Sequence, residues 1–101
     1  MCEVPTRCSV EEGISRDMDW VYEMIYHYFG RENQIMKLGE EAVELADAIF
    51  KYKKDPETFD HVLEELADVY VVGRRILLFS DRGLFDEIVK KKLYRTMERT
   101  K

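Results

Sequence analysis

Five carboxylates in this 101-residue chain stand at spacings that let them act together. Glu40, Glu41 and Glu44 lie in KLGEEAVELADAIF, and Glu65 and Asp68 lie in HVLEELADVY. Residues three and four apart share one face of a helix, where like charges are mildly destabilising. A hard divalent cation such as Mg²⁺, which takes oxygen ligands, offsets such repulsion. Four carboxylates converging from two helices supply enough oxygens for one or two such ions, with water completing the shell. The chemistry this allows is phosphate chemistry: the ion neutralises phosphate charge and lowers the pKa of a water, and a spare carboxylate takes the proton. The competing reading is a Glu-rich face that is merely solvated. Apolar residues border both clusters (Leu38, Ala42 and Leu45 the first, Leu66 and Val69 the second), and this tips the balance to a metal site.

The elements that must carry these residues are helices. Trp20, Val21, Met24, Ile25, Tyr28 and Phe29 recur at helical spacing, with Asp17 or Asp19 as the expected cap and Gly30 as a break. Ile35, Leu38, Ala42, Leu45, Ala46, Ile49 and Phe50 form the stripe of a second helix over about residues 31–53. Asp55-Pro56 is a cap followed by a first-turn proline and opens a third helix reaching about Ser80. That helix is apolar around much of its circumference towards its end, so a central position is expected. A turn at residues 80–83 leads to a fourth helix from about Leu84 to Arg99, carrying Leu84, Phe85, Ile88, Leu93 and Met97. Short connections imply an all-α, antiparallel four-helix bundle in which the second and third helices lie side by side, bringing the acidic faces together. Residues 1–16 lack periodicity and read as an extended or flexible arm. Cys2 and Cys8 within it match no zinc spacing and are expected to be free thiols.

Composition narrows the function classes. The net charge of −5 argues against a nucleic-acid binder, which usually shows a strongly basic face. Residues 32–68 hold eleven acidic against four basic side chains, whereas residues 69–101 hold nine basic against four acidic. An acidic centre with a basic tail suits a metal site flanked by groups for an anionic ligand, though most of the tail lysines also fit a solvated helix face. A di-iron carboxylate bundle is disfavoured, because it needs Glu-x-x-His on two helices and neither His27 nor His61 follows a glutamate by three. No apolar leader or membrane-length segment is present in the sequence, so a cytoplasmic protein without membrane contact is expected. A domain this small buries a modest core alone, and self-association is expected.

The arrangement Glu40-Glu41-x-x-Glu44, twenty intervening residues, then Glu65-x-x-Asp68 resembles the signature of the MazG-like all-α nucleotide pyrophosphohydrolases. Lys37-Leu38-Gly39 before the first cluster, Leu45-Ala46 after it, Leu66-Ala67-Asp68-Val69 and the basic Lys92-Leu93-Tyr94-Arg95-Thr96 add to the resemblance, which spans about residues 33–99. It implies a catalytic domain over residues 17–101 that hydrolyses a nucleoside triphosphate to the monophosphate and pyrophosphate, with a role in nucleotide-pool house-cleaning. By matched position Glu41, Glu44, Glu65 and Asp68 would ligate Mg²⁺, with Mn²⁺ as a substitute. Glu40 and Glu41 would be the catalytic carboxylates, Glu40 supporting the site or activating water. Lys37, Lys92 and Arg95 would contact phosphates, and Asn33 and Gln34 would read the base or sugar. The resemblance also implies a homodimer or homotetramer whose sites draw on more than one subunit. Phosphoribosyl-ATP pyrophosphohydrolase is the alternative within the enzymes, and a non-catalytic helical interaction module is the alternative outside them.

Overall fold

The computed structural model describes residues 16–100, and no strand occurs among them. Four α-helices follow in order: α1 (Asp19–Phe29), α2 (Arg31–Lys54), α3 (Phe59–Leu77) and α4 (Arg82–Arg99). Single 3-10 turns occupy Arg16–Met18 and Pro56–Thr58. Most of the expected N-terminal arm, with Cys2 and Cys8, lies outside the described residues.

Local chemistry explains the boundaries. Gly30 has φ +87°, a backbone conformation that a Cβ disfavours. Its N–H donates to Tyr26 O at 2.8 Å, closing α1, and its carbonyl accepts Gln34 N–H at 3.1 Å, opening α2. Asp55 is extended, and its side chain accepts from Glu57 N–H at 3.1 Å with Pro56 directly after it. The turn it caps is 3-10, so α3 proper begins only at Phe59. Ser80 Oγ donates to Ile76 O at 2.8 Å and occupies a carbonyl of the last turn of α3, which stops three residues before the expected end. Asp81 Oδ1 accepts Leu84 N–H at 2.9 Å, which starts α4 at Arg82 rather than Leu84. Neither Asp17 nor Asp19 caps α1. Met18 stands at that position without a side-chain bond, and Asp19 Oδ1 accepts instead from Arg74 Nη2 on α3 at 3.0 Å.

The second and third helices do lie side by side, and α1 packs against both of them, so each of the three touches the other two and α3 is not singled out as central. The inward face of α2 is Gln34, Leu38, Glu41, Leu45 and Ala48, and that of α3 is Val62, Glu65, Val69 and Val72, all buried or half-buried. Both runs alternate steps of three and four, the seam spacing of paired helices. The expected stripe of α2 is thus split: Leu38 and Leu45 face inward, while Ile35, Ala42, Ala46, Ile49 and Phe50 are exposed. On α1, Tyr22 is the buried residue, and Trp20, Met24 and Tyr28 are open to solvent.

One chain does not close a four-helix bundle. Three helices pack together, and α4 makes no substantial contact with any of them. All of α4 is exposed, and the radius of gyration is 16.1 Å against roughly 13 Å for a compact chain of about 100 residues. Its apolar residues, Phe85, Val89, Leu93 and Met97 at steps of four with Leu84 and Ile88 beside them, are therefore left open to solvent. Among the described residues, no helix is long and apolar enough to cross a membrane.

Candidate metal centre and adjoining pocket

The α2–α3 seam is apolar at Leu38, Leu45, Val69 and Val72 and carries two carboxylates, Glu41 and Glu65, between them. The seam spacing aims both across the helix pair, and Glu44, one turn after Glu41, joins them from the exposed edge. Glu41, Glu44 and Glu65 each offer a carboxylate oxygen, and these oxygens lie within 4.8 Å of one another. Burying a carboxylate is costly unless it is paired. Glu41, only 6% exposed, has one such pair: Lys37 Nζ lies 3.0 Å from its Oε2. Its other oxygen, Oε1, is buried with no hydrogen-bond partner among the described residues, and so is Glu65 Oε1. Glu65 Oε2 is 3.9 Å from His61 Nδ1, and His61 also lies 3.5 Å from Glu64 Oε1 at the exposed edge.

The charges register this crowding. The Glu44 carboxyl is pushed above the usual glutamate range, first by the charge of Glu41, then by desolvation and by Glu65. Lys37 is pushed up by its hydrogen bond to Glu41 and by the charge of the same group. The donor set is all carboxylate oxygen, carries three negative charges against the one of Lys37, and leaves two buried oxygens unsatisfied. A hard divalent cation satisfies each of those conditions, so the residues present fit Mg²⁺ or Mn²⁺.

Of the expected metal ligands, Glu41, Glu44 and Glu65 are brought together, while Asp68 is exposed and does not join them. Glu40 is exposed, its Oε1 3.8 Å from Lys37 Nζ. Lys37, Asn33 and Gln34 meet on the other side of the cluster, where with Phe29, Met36, Glu40 and Arg75 they line a pocket of about 340 Å³. Lys92 and Arg95 are elsewhere: they sit on α4 beside Ile88 and Lys91, around a shallow depression of about 270 Å³. Among the described residues, nothing packs that helix against the carboxylates.

Arg75 is the site residue that sequence reasoning missed. It is 9% exposed, donates from Nε to Gln34 Oε1, and is close enough to Glu41 to feel its charge. Burial pushes its guanidinium down, and Tyr22 and Glu41 partly offset that. The available signal was Arg74-Arg75 set inside the apolar run VVGRRILLF, because arginines within the core-facing part of a helix need partners. Arg74 finds Asp19, the Tyr70 hydroxyl at 2.9 Å, and the face of Tyr22 with its centroid 5.0 Å away.

No protein-family model, curated protein or solved structure matches this chain.

Proposed function

We propose that this chain is a Mg²⁺-dependent nucleotide pyrophosphohydrolase, acting on a nucleoside triphosphate and working as a homo-oligomer. The observation that carries the reading is the convergence of Glu41, Glu44 and Glu65 from two helices with two carboxylate oxygens buried and unpartnered. A solvated acidic face has no reason to seal carboxylate oxygens away from water, since doing so costs about 1–3 kcal/mol for each unsatisfied group. A divalent cation bound there supplies charge neutralisation for the phosphates and acidifies a water.

The chain's own residues do the rest. Glu41, Glu44 and Glu65 would hold the cation, and Asp68, one turn along α3, would add a further ligand. Water adds to phosphorus, the bridging P–O bond between the α- and β-phosphates breaks, and pyrophosphate departs. Glu40, at the rim of the pocket, accepts the proton of that water. Lys37 lies between Glu41 and the pocket and is placed to exchange its carboxylate partner for a phosphate oxygen. Lys92 and Arg95 reach a phosphate from a neighbouring copy, because α4 projects away from its own chain's carboxylates. The apolar residues left open on α2 and α3, Ile49, Phe50, Phe59, Leu63 and Leu66 among them, supply the surface on which copies assemble.

The test is substitution at the ligands. Glu41→Gln and Glu65→Gln each remove a ligand charge with little change in volume. Both should lower pyrophosphate release by more than a hundredfold while helicity by circular dichroism is kept. Full turnover in either variant overturns the ligand assignment.

A further inference from the structure

The pocket beside the carboxylates has polar groups whose polarity is fixed by their neighbours. Arg75 Nε donates to Gln34 Oε1. A guanidinium has donors and no acceptor, so the amide oxygen of Gln34 must face Arg75 and its NH₂ group must turn the other way. Gln34 is 2% exposed, and its NH₂ group has no partner among the described residues. Asn33 is polarised in the opposite sense. Its Nδ2 donates to the carbonyl of Phe29 at 2.8 Å, which leaves Oδ1 as the atom for a ligand. Both amides line the pocket, and Phe29 and Met36 give it apolar walls.

We propose that Arg75 is a positioning residue that holds Gln34 as a donor, so that the pocket selects a flat heterocycle presenting a carbonyl oxygen beside a ring N–H. That edge occurs in hypoxanthine, guanine, uracil and thymine. Its oxygen accepts from Gln34 and its N–H donates to Asn33 Oδ1. Held in the same orientation, the edge of adenine or cytosine points an amine at the Gln34 donor and a ring lone pair at the Asn33 oxygen, and both pairs then repel. Assigning the heterocycle to a nucleotide rests on the pyrophosphohydrolase reading; the donor–acceptor polarity does not. A site built to hydrogen-bond one edge rejects the reversed edge, because the buried Gln34 donor is then left unpaired. One such loss corresponds to roughly ten- to hundredfold in affinity.

The experiment is calorimetric titration of the full chain with inosine and adenosine 5′-monophosphates in the presence of Mg²⁺. The wild type should bind the inosine compound at least about tenfold more tightly. Gln34→Glu keeps an oxygen for Arg75 and removes only the donor. It should weaken inosine monophosphate binding about tenfold or more and erase the preference. Arg75→Met should erase the preference too, and Arg75→Lys, which still donates, should restore part of it. A purely structural role for Arg75 predicts instead that both affinities fall together with the ratio unchanged, and that result overturns the proposal. So does undetectable or equal binding by the wild type, or a preference that survives Gln34→Glu. Should Arg75→Met fail to fold, Gln34→Glu decides alone. Pyrophosphate release from inosine and adenosine triphosphates separates the two claims. No release with the binding preference intact sinks the hydrolase reading only, whereas release with equal kcat/KM for both sinks the selectivity only.

Discussion

Replacing Glu65 by Gln should make the metal-free protein more stable and the metal-bound protein less so. In the absence of a cation, Glu41 and Glu65 place carboxylate oxygens within 4.8 Å, and each keeps one buried oxygen without a partner. Two like charges at that separation repel by about 1–3 kcal/mol, depending on whether the local dielectric is nearer water or a protein surface. The Lys37 ammonium, 3.0 Å from Glu41, offsets part of this, so the lower figure is appropriate. A glutamine amide also donates, and a partner for the Glu41 carboxylate removes some of the cost of an unsatisfied group, about 1 kcal/mol or more. The sum is a gain of about 1–2 kcal/mol in the apo state, which in a domain this size moves Tm up by roughly 5–15 °C. Mg²⁺ at a hundred times its Kd should stabilise the wild type by about 2.7 kcal/mol and leave Glu65→Gln unmoved. Paired thermal melts in EDTA and in Mg²⁺ give both signs. If Glu65→Gln melts lower than wild type in EDTA, the carboxylate is an ordinary stabilising contact and the reasoning fails.

Three further outcomes follow from the same structure. Because the folded-state pKa of Glu44 is raised, chiefly by Glu41, native Glu44 binds a proton where unfolded Glu44 does not. Apo stability should therefore rise as pH falls from neutrality through that raised value towards 4.5, the ordinary glutamate value, and melts of Glu44→Gln in EDTA should lack this component. The partly buried Asp19–Arg74 pair ties α1 to α3, and Asp19→Ala should cost about 1–3 kcal/mol, read as a Tm decrease that adds non-additively to Arg74→Met. Light scattering should show a dimer or larger species at micromolar concentration, and Leu66→Glu, placed on the exposed apolar face of α3, should shift it to monomer; a wild-type monomer contradicts the assembly.

The parts of the fold written in local chemistry were legible. Asp55-Pro56 and Gly30 announced their breaks because capping and a positive φ depend on one or two residues. The pairing of α2 with α3 followed from their short connection. The face each helix buries was less legible, because α2 and α3 carry apolar residues on two sides. Periodicity alone could not choose between Ile35, Ala42 and Ile49 and the seam through Leu38 and Leu45. It could still less expect Gln34 and Glu41 to occupy that seam. Asp19 looked like a cap and became the partner of Arg74, a contact with a residue 55 positions away that no local rule contains. Spacing and apolar borders picked out Glu40, Glu41, Glu44, Glu65 and Asp68 together, but could not separate the three that converge from Glu40 and Asp68, which are exposed. Arg75 could not be picked out, since its role depends on the side chain it meets across the seam.

The central claim is that the converging carboxylates make this chain a metal-dependent nucleotide hydrolase. Pyrophosphate release by the wild-type protein, measured across canonical and modified nucleoside triphosphates with Mg²⁺ and again with EDTA, tests it most directly. The account predicts stoichiometric monophosphate and pyrophosphate from at least one triphosphate with Mg²⁺ and none with EDTA. Release that persists in EDTA, or no release from any triphosphate by protein that is folded and Mg²⁺-saturated, contradicts it.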